Sequence, residues 1–314
     1  MPRQRGRHHQ NTHRPRVTAT RSSGGRLRAV PYALGVIVEN APRLVATDVD
    51  GTLLDDGGVV TPRTVAVLER AVAAGAGFVL VTGRPPRWIP PVLARLPEGL
   101  VRLCVCANGA VLYDAVDDVV LGTHTLDPAA IGELAALAAE LFPGCGFGVE
   151  RVANAEGDDG VRGVVDQFLT DPGYVHAWGE HDGGSTSRED LLGHPATKVL
   201  IRSPELTSEQ MMTALAPKAG GLADLTFSHP SGLIEASAPG VTKATGLAEV
   251  ARRLGVTAAD TVAFGDMPND REMLRWAGLG VAMGNAHPDL AGLADEVTAS
   301  HTHDGLAEIL ERWF

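Results

Sequence analysis

Short apolar runs alternate with helix-spaced segments along most of this chain, and each run stops at a polar cluster. Leu44-Val45-Ala46-Thr47 leads into Asp48-Val49-Asp50-Gly51-Thr52, and Phe78-Val79-Leu80-Val81 into Thr82-Gly83-Arg84. Leu103 to Ala107 leads into Asn108-Gly109, and Thr261-Val262-Ala263-Phe264 into Gly265-Asp266. Apolar runs without polar alternation predict strands buried on both faces. Such strands belong to parallel sheets covered by helices on each side. The intervening segments supply the helices. Thr61-Pro62 reads as an N-cap with proline at the first helical position; Val65, Leu68 and Val72 recur at helical spacing, and Gly75 ends the run. The same texture resumes towards the C-terminus, with helices expected over 241–254, 271–276, 288–293 and 304–313 and strands over 279–283 and 296–298.

Between about 122 and 234 the pattern weakens. Helices are expected over 129–141 and 208–219 and a strand over 198–201, with Gly- and Asp-rich stretches at 154–160 and 179–187. The expected fold class is therefore α/β: a Rossmann-like parallel-sheet core built from 42–121 and 235–314, with an inserted α+β cap domain over 122–234. A chain of 314 residues is comfortable for two such units. Residues 1–41 are expected to form a disordered basic extension, because the first 28 lack apolar periodicity. That leader reads as a dispensable extension; an organelle transit peptide or a nucleic-acid-binding arm has similar composition.

Charge narrows the partners. Residues 1–41 hold eight arginines and one acid, whereas the remainder holds 19 basic and 37 acidic residues. A body that acidic repels a polyphosphate backbone, so nucleic acid is not an expected partner. No uncharged stretch exceeds about thirteen residues, short of the roughly twenty a spanning helix needs, so no membrane partner is expected either. Three cysteines cannot form a full disulfide framework, and a cytoplasmic setting as monomer or homodimer is the simplest expectation. Cys104 and Cys106, within an apolar run, read as packing residues. His301-x-His303 is too small a set for a closed zinc site. Only three lysines occur, Lys198, Lys218 and Lys243, beside 24 arginines, so a lysine at a special position is conspicuous.

Ligands of open α/β sheets bind beyond the carboxyl ends of the strands. If the relevant strands are neighbours, four carboxylates, Asp48, Asp50, Asp266 and Asp270, converge there with Thr82 and Lys243. So many acids raise one another's pKa unless a hard divalent cation relieves them, and Mg²⁺ suits carboxylates beside a substrate phosphate. Phosphoryl transfer then assigns the parts. Asp48 can attack phosphorus as nucleophile. Asp50, two residues on in an extended backbone, can protonate the leaving oxygen and then activate water. Thr82 and Lys243 supply a hydroxyl and a positive charge to the phosphoryl oxygens. Asp266 can ligate the metal and Asp270 can hold a metal-bound water. Taken singly, Asp-Gly and Thr-Gly are ordinary turn or strand-exit dipeptides, and a lysine near a helix start is commonly a surface residue. Their joint occurrence, each at an element end, is what carries the reading.

The sequence resembles the haloacid dehalogenase-like superfamily. The motifs are Asp48-Val49-Asp50-Gly51-Thr52-Leu53-Leu54, Val81-Thr82-Gly83-Arg84, Gly240-Val241-Thr242-Lys243 and Gly265-Asp266-Met267-Pro268-Asn269-Asp270, in that order. The long insertion between the second and third is similar to the Cof-type subgroup with a large α/β cap. The resemblance spans roughly 43–314. It implies Mg²⁺ ligation by the carboxylates of Asp48 and Asp266 and by the backbone carbonyl of Asp50, and phosphate contacts from Thr82, Lys243 and Asn269, with Gly83 beside them in the substrate site.

The expected function is a Mg²⁺-dependent phosphatase for a small phosphorylated metabolite, such as a sugar phosphate, working through an aspartyl-phosphate on Asp48. The alternatives are a phosphomutase or phosphotransferase on the same scaffold, or a non-catalytic phosphometabolite-binding protein. A dehalogenase would leave Asp50 idle. Which of Arg151, Arg162, His176, His181 and Arg188 faces the cleft is open at this level.

Overall fold

The computed structural model describes residues 40–156, 162–177 and 183–314. The expectations for the first 39 residues and for His181 lie outside the described residues. The first sheet takes β1 (Leu44–Thr47), β2 (Gly77–Val81), β3 (Leu103–Cys106), β4 (Val111–Asp114) and β5 (Val119–Thr123). A second sheet follows, with β6 (Gly146–Glu156), β7 (Arg162–Thr170), β8 (Gly184–Ser185), β9 (Lys198–Arg202), β10 (Asp224–Thr226) and β11 (Leu233–Ser237). The chain then returns to the first sheet as β12 (Thr261–Gly265), β13 (Leu279–Ala282) and β14 (Glu296–Val297). The helices are α1 (Pro62–Ala73), α2 (Pro90–Leu93), α3 (Pro128–Leu141), α4 (Arg188–Leu192), α5 (Ser208–Ala219), α6 (Lys243–Leu254), α7 (Arg271–Trp276), α8 (Pro288–Ala291) and α9 (Gly305–Leu310).

The first sheet has the order β14-β13-β12-β1-β2-β3-β4-β5. Strands from β14 to β3 are parallel, and β4 and β5 continue the edge as an antiparallel hairpin. The parallel-sheet core expected above is present, and the hairpin extends its edge with two strands the apolar pattern did not mark. Its turn is local chemistry: Asp114 accepts from the backbone N–H of Val116 and Asp117, and Asp118 sits at φ 49. Side-chain alternation sorts the faces. Val45 packs with Val67 and Leu68 of α1 and Leu306 and Leu310 of α9, whereas Leu44 and Ala46 pack with Leu247 and Val250 of α6 and Leu274 of α7. Each fully buried Leu or Val contributes about 1.5–3 kcal/mol.

β1 lies between β12 and β2, with Thr47 in register with both Phe264 and Leu80. The carboxyl ends of three adjacent strands therefore open on one crevice, where the connection from β1 leaves towards β2 while β12 lies on the other side. The second sheet, order β10-β11-β9-β6-β7-β8, is the inserted cap. Its helix-covered face buries Phe147, Val149, Val199, Ile201 and Ile234 against Leu134 of α3 and Leu215 of α5. The two-residue period puts Glu150, Lys198, Leu200 and Glu235 on the opposite face. Among the described residues, no helix is long and apolar enough to cross a membrane.

Candidate active site

Asp48 follows β1 directly, and its backbone N–H bonds Phe264 O on β12 at 3.0 Å. Lys243 is the first residue of α6. That start is fixed by a capping box in which Thr242 accepts from Thr245 N–H and Thr245 returns a bond to Thr242 N–H. The Lys243 side chain is 0% exposed, with Nζ 2.7 Å from Asp48 Oδ1 and 2.6 Å from Asp270 Oδ1. Residues 195 positions apart thus meet in a buried ion pair. Burial alone would lower the lysine pKa, but Asp270 and Asp48 more than offset it and the net shift is upward.

Carboxylate oxygens of Asp48, Asp266 and Asp270 lie within 4.8 Å of one another, all three buried. Burial pushes the Asp48 carboxyl well above its ordinary range; Lys243 opposes this, while Asp270, Asp266 and Asp50 add to it. Burial, reinforced by Asp270, raises Asp266 to about 7. Two hydrogen-bond donors aim Asp266: Thr52 Oγ1 at 3.2 Å on Oδ1 and Asn285 Nδ2 at 3.5 Å on Oδ2. Asn285 also donates to Gly51 O at 2.9 Å. Gly51 has φ +75, and a Cβ there would fall 2.3 Å from Asp266 Oδ2, so this turn needs glycine.

Asp270 is differently employed. Besides Lys243, it accepts from the backbone N–H of Asp266 at 2.9 Å and of Met267 at 3.0 Å, bracing the loop after β12. Asp50 stands apart from the carboxylate cluster. Its side chain is 61% exposed and takes a fork of hydrogen bonds from Arg84, with Nε at 2.8 Å. Thr82 is buried beyond β2; its Oγ1 accepts from Arg84 N–H at 3.1 Å. Asn269 donates from Nδ2 to Asn108 Oδ1 at 3.1 Å, and Asn108 Nδ2 donates to Glu235 Oε2 at 2.9 Å. Asn108 holds its position through a left-handed turn, φ 57.

A cavity of about 480 Å³ lies between this crevice and the cap, reached by Asp48, Asp50, Gly83 and Asn269 from the core and by Glu150 and Lys198 from the cap. That size suits a small metabolite. A larger cavity of about 660 Å³ opens beside the return to the core; it shares Asn269 with the first and reaches Asn108 and Lys243, but does not reach Asp48. Of the cap residues left open above, Arg151 bonds backbone carbonyls of Pro195 and Leu191, Arg188 pairs with Asp171, and His176 packs against Phe168 and Tyr174. None of these three lines the cavity; the side chain of Arg162 lies outside what is described. Sequence reasoning missed the assignments of Arg84, Thr52, Asn285 and Asn108. Arg84, Thr52 and Asn108 stand inside the quoted clusters, so adjacency was a usable signal; Asn285 had none.

A family model for haloacid dehalogenase-like hydrolases matches residues 45–310. The chain belongs to that family. Its layout is that of the Cof-type members, with the cap inserted between the second and third motifs. It is 30% identical to the 5-amino-6-(5-phospho-D-ribitylamino)uracil phosphatase YitU of Bacillus subtilis, covering 88% of this chain and 99% of that one. It is 31% identical to the HMP-PP phosphatase of Serratia proteamaculans, covering 86% and 95%. The solved structure of BT1666, a phosphatase from Bacteroides thetaiotaomicron, shares the fold with a TM-score of 0.70 at 23% identity, covering 89% of this chain and 97% of that one.

Proposed function

We propose that this haloacid dehalogenase-like hydrolase is a Mg²⁺-dependent phosphatase of a small phosphorylated metabolite, a phosphoric monoester hydrolase with Asp48 as nucleophile. The observation that carries this reading is Lys243 Nζ at 2.7 Å from Asp48 Oδ1, with the Asp266 carboxylate beside it. Lys243 orients Asp48 by engaging Oδ1, and Asp48 lines the cavity. Binding alone needs no nucleophile held in this way. The phosphatase names of the two relatives point the same way.

The chain's residues fit a hard divalent cation. The donors are carboxylate oxygens without sulfur or imidazole, and Asp266 near 7 marks a cluster short of positive charge. Asp48 and Asp266, with the backbone carbonyl of Asp50, would hold Mg²⁺, which when bound supplies charge to the phosphoryl oxygens. Asp48 attacks phosphorus and the ester oxygen departs with a proton from Asp50; Asp50 then takes a proton from the water that cleaves the aspartyl-phosphate. Thr82, the Gly83 backbone, Lys243 and Asn269 hold the phosphoryl oxygens. Arg84 keeps Asp50 positioned at the cavity mouth between turnovers.

The test is release of inorganic phosphate from a generic aryl phosphate in Mg²⁺. Asp48→Asn should lose at least about 10⁴-fold in kcat, the scale at which nucleophile removal disables a hydrolase, while circular dichroism shows the fold intact. Full activity in that variant would end the reading.

A further inference from the structure

The cap face of the cavity carries a second buried charge cluster that the phosphoryl chemistry does not use. Lys198 donates to the Gly83 backbone carbonyl and lies 2.9 Å from Glu235 Oε2. Glu235 is further satisfied by Asn108 and by the Ser228 hydroxyl. Glu150 is not. It is 4% exposed and lines the cavity, and its Oε2 accepts no hydrogen bond from any described residue. The Lys198 ammonium is 3.8 Å from that oxygen and already engaged elsewhere. Leaving a buried acceptor oxygen without a hydrogen bond costs its desolvation, so its natural complement is a donor on a bound molecule.

The remaining lining fixes what that molecule can be. Arg84 and Lys198 are the lysine and arginine side chains among the described residues lining this cavity, and both are committed, to Asp50 and to Glu235. His229 also lines it, but burial and Arg202 lower its pKa, so it offers no cation near neutrality. Two buried carboxylates thus stand on the cap face with Lys198 between them, while Arg87, 3.5 Å from Glu150 Oε1, is held by Asp166 and does not line the cavity; no lining cation is spare for a second anionic group. Trp88 and Leu200 add apolar surface beside them.

We propose that Glu150 is a specificity-determining residue that accepts a hydrogen bond from a hydroxyl or amine of the leaving group, so that the substrate is the monophosphate of a neutral, donor-bearing molecule rather than a bisphosphate or a phosphorylated acid. The proposal rests on the phosphatase reading for the reaction and deepens it on the leaving-group side.

Binding separates the two. Calorimetry on full-length Asp48→Asn protein in Mg²⁺ compares a hexose phosphate, a hexose bisphosphate and inorganic phosphate, with and without Glu150→Leu or Glu150→Gln. The hexose phosphate should bind Asp48→Asn protein at least tenfold more tightly than the bisphosphate. Glu150→Leu should weaken the hexose phosphate by about tenfold or more, the loss of one hydrogen bond to a charged group. Glu150→Gln, which keeps an acceptor but not the charge, should weaken it less. Inorganic phosphate should change by less than about twofold in both, which also certifies that the site is folded. Equal weakening of both ligands, no weakening of the hexose phosphate, or a bisphosphate bound as tightly would overturn the proposal. Turnover of an aryl phosphate by the wild-type protein reads the phosphatase assignment independently.

Discussion

Lys243 and Asp270 form the most deeply buried charge pair of the site, and Asp48 draws on the same ammonium. Removing one partner of such a set leaves uncompensated charge in a low-dielectric interior. Lys243→Met should therefore cost about 3–5 kcal/mol in chelator, read as a lower urea midpoint, and Mg²⁺ should restore part of it by neutralising Asp48. An unchanged midpoint would mean the acids accept protons without consequence to the fold. Asp266 gives a pH signature. Its folded pKa, about 7, stands above the ordinary 3.8, so across that window the folded state binds more protons than the unfolded state. Stability then falls as pH rises through the window, the reverse of an ordinary salt-bridged aspartate. Protein in chelator should melt at a lower temperature near pH 7.5 than near pH 5.5 as far as Asp266 contributes, and Mg²⁺ should narrow the difference, because the ion binds the deprotonated form. Equal slopes with and without Mg²⁺ would place the cation away from Asp266.

Short elements set these distances. The turn through Asn108-Gly109 packs against the start of α6: Gly109 has φ +102, and a Cβ there would fall 2.0 Å from Thr242 O. Gly109→Ala should both strain that turn, at about 1–3 kcal/mol, and push the α6 N-terminus, moving Lys243 off Asp48. Loss of activity beyond what the melting temperature explains is the expected outcome, and full activity would show that α6 is placed without this contact. Much of this element scale was legible in the sequence. Apolar runs marked β1, β2 and β12 because these strands are buried on both faces, and Thr61-Pro62 marked the start of α1 because a cap and a proline act locally. The cap was harder to read. β6 and β7 form a long hairpin in which Glu150 faces the cavity, Asp166 meets Arg87 of the core and Gln167 is exposed, so polar residues interrupt the apolar signal. The same holds for Lys198: its rarity drew attention, but only the pairing of β9 with β6 and β11 shows that it faces Glu150 and Glu235. The Asp48–Lys243 meeting was legible as a motif, whereas the hold of Asn285 on Asp266 depends on a loop path that no local pattern encodes.

At the scale of the whole molecule, the cap is held over the crevice by contacts at its centre, Lys198 to the Gly83 carbonyl and Asn108 to Glu235, by Val152 and Val164 packed on the core, and by polar pairs on its two flanks. On one side Arg87 Nη1 pairs with Asp166 Oδ1 at 2.6 Å, and the Arg87 backbone N–H donates to Asp166 Oδ2 at 2.9 Å. On the other, His287 Nε2 lies 2.8 Å from Glu209 Oε1, joining α8 of the core to α5 of the cap. The chain crosses between the units near Leu126 and again at 238–241, so rotation of the cap breaks these side-chain contacts while leaving both sheets whole. Closure over a bound substrate excludes water from the reacting atoms, and opening releases product. Asp166→Asn keeps the shape of the contact but removes its charge. If that costs the closed form about 1.4 kcal/mol, the closed-to-open ratio falls tenfold. The expected outcome is a KM several-fold higher for a substrate that fills the cavity, a smaller change for a small aryl phosphate, and a larger radius of gyration by X-ray scattering in the presence of ligand. A variant whose scattering and KM match the wild type would show that the cap is seated by the second sheet's own packing on the core, and that Arg87 merely follows it.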